Sequence, residues 1–363
     1  MSFLGKMVRL ATVHPPFINS MSKDFRDEAN AAFAAKLKRS KLYMIGARPR
    51  TEFGDVRIVD TVNDLARVEI KLAGETVDWG YINLQANVPL GGAVHAAWDD
   101  QIIQIGHNRP GPGEKMHSHT WYTPDSVYWE KSRGNPNLQG FNNHAIVCNY
   151  DLLYVGIANK QDSFERLLNK AHQGRVEILT EEQIRYPTPS NRVSDEIVLF
   201  FFDIDPLVIQ TWAPEDEMDD MVLDINSSRT IADAEKAFVS LLKPEYNNVQ
   251  FKEYPRGKDG LYGSGFNVYQ YVIFENFTFN TPSGTFNGSR NEFGLGSTGH
   301  TIVVEGDNVT LYPPERWPSA KKSAPLGIRF TVDAILALRE KPAPCTPHGA
   351  PYATPLLVDP QTG

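Results

Sequence analysis

The chain has little cysteine, no long uninterrupted apolar segment and no overall positive charge. Its 363 residues include two cysteines, Cys148 and Cys345, which lie far apart and suggest neither a disulfide framework nor a zinc knuckle. The most apolar run, residues 197–209, is broken by two aspartates and a proline and is too short to span a bilayer. The first residues contain no apolar stretch of signal-peptide length. We therefore expect a cytoplasmic protein without membrane contacts.

The charge balance excludes a surface that is positive throughout. The net charge is −8, which argues against non-specific coating of the whole surface by nucleic acid. Residues 1–50, however, hold ten Lys or Arg against three acidic residues, and residues 215–220 form an acidic cluster. This asymmetry permits a positive face for a polyanion, although a run of charge also forms on an ordinary solvated surface.

Apolar spacing, together with many glycines and prolines (27 and 25), predicts an α+β protein with much strand and loop. Residues 24–40 are Ala-rich, acidic at the start and basic at the end, which predicts a helix. A Pro- and Gly-rich stretch at 109–113 suggests a boundary. We divide the chain into an N-terminal helix and β-rich region with a candidate role in nucleic-acid recognition (1–110), a linker (111–139), a central module (140–250), a β-rich C-terminal region (251–340) and a flexible tail (341–363).

The first half of a candidate catalytic site lies at the start of the central module. Residues 143–148, a polar turn at 149–151 and the apolar residues 152–157 predict a β-hairpin that ends in Tyr154-Val155-Gly156. A helix is predicted next, because residues 164, 167, 168 and 171 are apolar and share one helical face. Arg166 and Lys170 are one turn apart on its polar side.

The second half is a predicted helix that carries a carboxylate among apolar residues. Thr230 and Asp233 form a candidate capping box, and five apolar residues at 231, 234, 238, 241 and 242 form one stripe. At 100° per residue Glu235 falls within that stripe. A carboxylate there is costly unless it is paired or binds a cation, so the alternatives are a hydrogen-bonded structural glutamate and a metal ligand.

Taken in order, Tyr154-Val155-Gly156, Arg166, Glu235 and the string Lys243-Pro244-Glu245-Tyr246-Asn247 resemble the two halves of a GIY-YIG nuclease site. The resemblance covers about 140–250, under a third of the chain. It implies a central α/β module, a small sheet flanked by helices, with β-rich regions on either side. It also implies an endonuclease of restriction or defence type that hydrolyses phosphodiester bonds in double-stranded DNA with one Mg²⁺ or Mn²⁺, and that is a candidate homodimer.

The resemblance also implies roles for individual side chains. Glu235 would bind the metal ion, and Arg166 would form a bidentate contact with the phosphate in the transition state. Tyr154 would orient or deprotonate the attacking water, although a free phenol titrates near pH 10. Asn247 would brace the site, and Gly156 would allow close approach of the backbone.

The sequence departs from the family pattern at two positions. The pattern places a tyrosine near residue 144, where this chain has His144, a candidate general base or a sign of lost activity. Lys170 stands where the family often has a histidine, and His172 points about 120° away on the helix. Further candidate substrate contacts are His172 and Arg175 in an inserted segment, and Arg256 and Lys258 in a glycine-rich basic loop that is otherwise a surface turn.

Other interpretations remain open at this stage. One is a catalytically inactive relative that binds nucleic acid, and another is a β-rich binding or structural protein with no polynucleotide role. His117 and His119 form a His-x-His pair that is either a metal motif or two exposed histidines. Four aromatic residues are candidates for stacking on unpaired bases or for core packing, namely Trp121, Tyr122, Tyr128 and Trp129.

Overall fold

The computed structural model describes residues 3–26, 30–87, 94–107, 118–158, 162–169, 172–185, 196–211, 227–290 and 299–314. Among these residues 43% lie in strands and 26% in helices. The dominant element is one large curled sheet in which nine strands pair side by side. A tenth, short strand pairs beside one of them. The predicted fold class, a small sheet flanked by helices within an α+β chain, is therefore wrong.

The described residues form seventeen strands and five α-helices. The strands are β1 (Leu4–Thr12), β2 (Phe17–Ile18), β3 (Leu42–Ala47), β4 (Thr51–Asp60), β5 (Leu65–Leu72), β6 (Glu75–Asn83), β7 (Val94–Trp98), β8 (Ile103–His107), β9 (Ser118–Tyr122), β10 (Leu138–Gly140), β11 (Asn149–Ile157), β12 (Ile197–Gln210), β13 (Val268–Ile273), β14 (Thr278–Thr281), β15 (Gly284–Asn287), β16 (Thr301–Glu305) and β17 (Asn308–Tyr312). The helices are α1 (Ala31–Leu37), α2 (Pro124–Lys131), α3 (His144–Val147), α4 (Gln173–Arg185) and α5 (Ser227–Leu242), with 3₁₀ helices at Asn19–Arg26 and Gln85–Asn87 and a π-helical turn at Glu165–Asn169.

The large sheet draws strands from almost the whole described chain. Its order is β15–β14–β11–β3–β12–β1–β13–β16–β17, and β2 pairs with β12. The pairs β1/β13 and β11/β14 are parallel, and the others are antiparallel. Apolar residues at 197–202 are buried throughout, as expected for a strand covered on both faces. The sheet therefore joins residues that a division at 110 and 250 would separate.

Strand β11 occupies a central place in this sheet. It pairs antiparallel with β3, where Tyr43 lies opposite Gly156, and parallel with β14 on its other edge. Among the described residues β14 pairs only with residues 149–151 of β11, and residues 143–148 form no strand beside it. That segment instead contains the short helix α3, with His144 exposed at its start. The predicted hairpin is wrong, and the strand that pairs with β11 comes from more than a hundred residues earlier.

Two smaller sheets, β10–β6–β5–β4 and β7–β8–β9, lie between β3 and β11 in the chain. A buried ion pair connects this region to the large sheet, because Arg48 after β3 donates to Asp125 of α2 at 2.7 Å and to the Tyr150 hydroxyl of β11 at 3.1 Å. Helix α2 begins with a capping box at Thr123 and lies within the segment predicted as a linker. The insertion between β3 and β11 is thus anchored at the base of the candidate site.

Helix α5 buries one side against the large sheet. Ala234, Phe238 and Leu242 are buried, in agreement with the predicted apolar stripe, and the helix ends at Leu242 before Lys243, whose φ is +49°. Nowhere in the described residues is a helix both long and apolar enough to cross a membrane.

Candidate active site

A cleft with a volume of about 500 Å³ brings together the side chains that the sequence separates. It is lined by Tyr154 from β11, Arg166 from the π-helical turn, His172 before α4, Glu235 from α5 and Asn247 after α5. The lining also includes Glu177 on the first turns of α4 and the exposed loop residues Asn248 and Val249. A phenol, a guanidinium and a carboxylate from three elements therefore face one space.

The backbone of Ile157, the last residue of β11, positions both charged groups. Its carbonyl oxygen accepts a hydrogen bond from the Arg166 guanidinium. Its N–H group donates to the Glu235 carboxylate. Because a strand end in the middle of a sheet is rigid, the guanidinium and the carboxylate are held in a fixed relation to Tyr154, three residues earlier on the same strand.

The Glu235 carboxylate is partly buried at the wall of the cleft. Burial raises its pKa to about 7, while the charges of Arg166 and Lys236 and the Ile157 N–H oppose the shift. Near neutral pH this carboxylate is therefore poised between its two protonation states. A desolvated carboxylate of this kind gains strongly from a bound cation.

A second tyrosine, Tyr43 on β3, is buried beside Tyr154 and does not itself line the cleft. Its ring stacks on Tyr154 with centroids 6.1 Å apart, and both rings contact the His172 imidazole edge-on at 5.6 and 5.4 Å. The side chain of Tyr43 is fully buried, and burial raises its pKa far above the usual value. Tyr43 therefore occupies the place for which the sequence offered His144. His144 is exposed on α3 and does not line the cleft.

The hydrogen bonds of His172 fix the direction of donation between the two tyrosines. The backbone N–H of Arg175 donates to Nδ1 of His172 at 3.0 Å, and burial together with the Arg166 and Arg175 charges lowers the imidazole pKa to about 4. In the neutral ring the proton is consequently on Nε2, which lies 2.8 Å from the Tyr43 hydroxyl. We assign Nε2–H as donor to Tyr43, so that the Tyr43 hydrogen is directed to the oxygen of Tyr154.

Gly156 provides the space for this aromatic cluster. A Cβ atom at residue 156 would lie 2.6 Å from Cε1 of Tyr154 and 2.7 Å from the Tyr43 hydroxyl. Both distances are shorter than any real Cβ contact, so a side chain here would displace one ring. The glycine of the Tyr-Val-Gly motif is therefore required by the packing of two tyrosines.

Asn247 holds the loop after α5 against β11. Its Oδ1 accepts from the N–H of Val155 at 2.9 Å, and its Nδ2 donates to the carbonyl of the same residue at 2.8 Å. The neighbouring Tyr246 donates its hydroxyl hydrogen to the buried carboxylate of Glu182 on α4 at 2.7 Å. Both side chains brace the cleft, and Asn247 acts on the backbone between Tyr154 and Gly156.

The remaining predicted site residues lie elsewhere. Arg175 is a structural residue, because its guanidinium donates to Asn19, Ser22 and the Leu167 carbonyl at 2.7–2.9 Å. Arg256 is exposed and forms an ion pair with Asp307 at 2.8 Å, and Lys258 is exposed on the same loop. Neither lines the cleft. Lys170 lies outside the described residues, as does His117 of the His-x-His pair.

The residues of the cleft fit a divalent ion that is shared with a substrate. Within the described part of the chain no group of three or more His, Cys, Asp or Glu forms a metal cage. Glu235 and Glu177, however, give the cleft two carboxylates. Mg²⁺ characteristically binds one or two carboxylates and completes its octahedron with water and substrate phosphate oxygens. The donor set is therefore sufficient for Mg²⁺ and poor for a tightly bound structural ion.

Comparisons with protein-family models, with curated proteins and with solved structures found no match to this chain.

Proposed function

We propose that this protein is a metal-dependent endonuclease that hydrolyses phosphodiester bonds in DNA, with a site of the GIY-YIG type and a restriction or defence role. The observation that carries the proposal is the presence of Tyr154, Arg166 and Glu235 around one cleft, on elements that are distant in sequence, with the buried Tyr43 stacked on Tyr154. These groups supply an acceptor for a water proton, a cation for phosphate and a carboxylate for a metal ion.

In the proposed reaction Tyr154 first releases its own phenolic proton to solvent, and the phenolate oxygen then takes a proton from the attacking water. Burial raises the phenol pKa of Tyr154 above 10, and two neighbours oppose that shift. The positive charge of Arg166 favours the phenolate, and the hydroxyl hydrogen of Tyr43 stabilises the same form by a hydrogen bond. The series of hydrogen bonds from His172 through Tyr43 thus keeps the Tyr154 oxygen a hydrogen-bond acceptor.

Arg166 and Glu235 act on the phosphate side of the reaction. Arg166 is anchored by Ile157 and retains further N–H groups of its guanidinium for nonbridging phosphate oxygens. Glu235, with Glu177 nearby in the lining, would hold the divalent ion. When bound, that ion would supply positive charge to the scissile phosphate and the leaving oxygen. Hydrolysis then needs no covalent intermediate on the protein.

The test is cleavage of supercoiled plasmid by the purified full-length chain with Mg²⁺ or Mn²⁺. We expect nicked or linear product, and a loss of about 100-fold or more in Glu235→Ala and in Arg166→Ala. Arg256→Ala is the matched control for Arg166→Ala, because it removes an arginine outside the cleft, and we expect nearly unchanged activity. No cleavage of double- or single-stranded DNA or RNA under any metal condition would refute the enzyme. Salt-dependent DNA binding without cleavage would then identify a catalytically inactive nucleic-acid-binding protein.

A further inference from the structure

A second cavity, with a volume of about 260 Å³, lies beside the end of β1. Its walls come from the turn after β1, from α1, from β9 and from α2, and they contain none of the residues that line the catalytic cleft. Sites for drug-sized ligands usually measure roughly 300–1,000 Å³. A cavity below that range fits a single small ring system better than a whole nucleotide or a peptide.

The walls of this cavity are aromatic. Trp121 of β9 lies 5.5 Å from the ring of Phe33 of α1 and 6.2 Å from the ring of His14, and all three line the space. Trp121 and Phe33 are only partly buried, so part of each ring remains accessible. Accessible aromatic faces around a narrow cavity stack favourably on a flat heteroaromatic ring.

The opposite side is held rigid by Trp129 of α2. Its indole N–H donates to the Thr12 hydroxyl at 2.7 Å, and the Arg133 guanidinium lies 3.5 Å from its ring centroid. Arg133 is itself fixed by two hydrogen bonds to the buried Glu275 at 2.6 and 3.0 Å. A wall that is ordered before binding lowers the entropy lost when a ligand enters.

Two hydrogen-bond acceptors, on His14 and Glu130, lie in the cavity lining beside Thr120, Ser126 and Asn135, which can also donate. Nδ1 of the buried His14 donates to the Pro15 carbonyl at 2.7 Å, which leaves Nε2 as an acceptor in the neutral ring. Burial lowers the pKa of His14 to about 4, so the ring is neutral at physiological pH. The Glu130 carboxylate provides the second acceptor, and the exposed Lys36 adds a positive charge. The matching ligand is a flat ring with an amino edge and an attached anion.

The cavity and the catalytic cleft are built on one hydrophobic cluster. Phe25 and Phe33 beside the cavity, and Tyr43 and Tyr154 of the cleft, belong to this cluster or pack against it. The 3₁₀ helix Asn19–Arg26 connects the two places, because Phe25 contacts His14 while Asn19 and Ser22 bond the Arg175 guanidinium. The cavity and the cleft therefore share one packed core.

We propose that the cavity between Trp121, Phe33 and Trp129 receives one unpaired nucleobase with an exocyclic amino group, from a nucleic acid that is also bound at the catalytic cleft. The base stacks on Trp121, its amino hydrogens are accepted by Glu130 and His14, and its phosphate pairs with Lys36. Cytosine, adenine and guanine satisfy this pattern, whereas thymine lacks the amino group. The inference rests on the proposed function for its substrate class, and it adds a site outside the cleft.

The test compares binding of short single-stranded oligonucleotides of deoxycytidine and of thymidine, which differ little in size. The full-length chain is used without divalent metal, and affinity is measured by fluorescence anisotropy at one fixed salt concentration. We expect the deoxycytidine strand to bind at least about fivefold more tightly. Trp121→Ala should weaken its binding by about 5- to 150-fold, the range for loss of one aromatic stacking partner. Trp98→Ala removes an exposed tryptophan on β7 and should change nothing.

A second variant covers the case in which Trp121→Ala fails to fold. Glu130→Gln keeps the shape of the side chain and should reduce the preference for deoxycytidine without weakening thymidine binding. Equal affinity of the native chain for the two strands overturns the proposal, and so does unchanged binding by a folded Trp121→Ala. Glu235→Ala separates the nuclease hypothesis from the pocket hypothesis, because it should abolish cleavage and leave the preference for deoxycytidine unchanged. Cleavage with no base preference retains the nuclease and refutes the pocket, whereas preferential binding with no cleavage by the native chain retains the pocket and refutes the nuclease.

Discussion

The hydroxyl of Tyr43 lies 2.8 Å from Nε2 of His172, although 129 positions separate the two residues in the chain. His172 in turn accepts a hydrogen bond from the first turn of α4. One histidine therefore connects a helix N-terminus to the tyrosine pair of the cleft, and this connection leads to the first two predictions.

Tyr43→Phe should slow DNA cleavage by about 10- to 100-fold, because it removes a hydrogen bond that stabilises the Tyr154 phenolate. Loss of that donor raises the pKa of Tyr154, so the rate should also reach its maximum at a higher pH. Single-turnover cleavage measured across pH tests both effects. His144→Ala is the control, since the exposed His144 should contribute nothing. A slower variant with an unchanged pH profile would indicate a purely structural Tyr43.

His172→Asn should separate the two functions of that histidine. The Asn Oδ1 atom can accept the Arg175 N–H as Nδ1 does, so the free energy of unfolding should stay near the native value, whereas His172→Ala should lose about 1 kcal/mol with the cap. Cleavage should fall in both variants, because neither donates to Tyr43. Urea unfolding and cleavage rates provide the measurements. A native cleavage rate in His172→Asn would show that the hydrogen bond from His172 to Tyr43 does not contribute to cleavage.

Glu235→Gln should stabilise the protein above pH 7 and leave it unchanged near pH 4. In the unfolded chain this glutamate loses its proton near pH 4.5, whereas in the folded chain it does so near pH 7. Ionisation of Glu235 in the folded protein is therefore unfavourable. Its cost in free energy of unfolding grows between pH 4.5 and pH 7 and is constant above pH 7. The glutamine removes this cost, which is about 3 kcal/mol.

Unfolding by urea at pH 4 and pH 8, in the presence of a chelator, measures this effect of Glu235→Gln. The exposed Glu305 provides the matched variant, Glu305→Gln. This substitution should change the free energy of unfolding by the same small amount at pH 4 and at pH 8. Destabilisation of Glu235→Gln at pH 8 would show that the carboxylate is compensated by contacts within the fold and is not poised for a cation.

Gly156→Ala should destabilise the fold by about 1–3 kcal/mol, as is typical when a methyl group is forced into a filled core. The added carbon would meet both tyrosine rings at less than 3 Å. Gly174→Ala is the matched control, because it adds a methyl group near Tyr154 without any contact under 3 Å. Its Cβ would lie 3.3 Å from His172 and 3.4 Å from Tyr154, on a helix where alanine is favoured. Thermal unfolding should distinguish the two variants, and equal stability of Gly156→Ala and the native chain would contradict the tyrosine packing.

Patterns in the sequence indicated several of the residues that line the cleft, although not Glu177 on α4. The apolar stripe of α5 located Glu235 among buried residues, and the short string after that helix located Asn247. Arg166 was predicted on a helix and lies on a π-helical turn. The place of Glu235 came from helical spacing, which depends on local geometry alone, whereas Arg166 and Asn247 were named from the resemblance to the family pattern.

Tyr43 and the large sheet could not be found in this way, because strand pairing between distant segments leaves no local spacing to detect. The only sequence signal for β3 was an apolar run with a tyrosine, Leu42-Tyr43-Met44-Ile45-Gly46, directly after the predicted helix. His144 was named because the family pattern places a tyrosine near that position. The pairing of β11 with β3 and, over residues 149–151, with β14 is a property of the whole sheet.

The position of β11 has a consequence for the order in which this protein acquires activity. This strand carries Tyr154 and the Ile157 anchor, and its two neighbours come from residues 42–47 and 278–281. During synthesis on the ribosome the groups of the cleft would therefore exist for some time as separate pieces. Under the proposed nuclease function, cutting activity would be absent until residues 278–281 have been made.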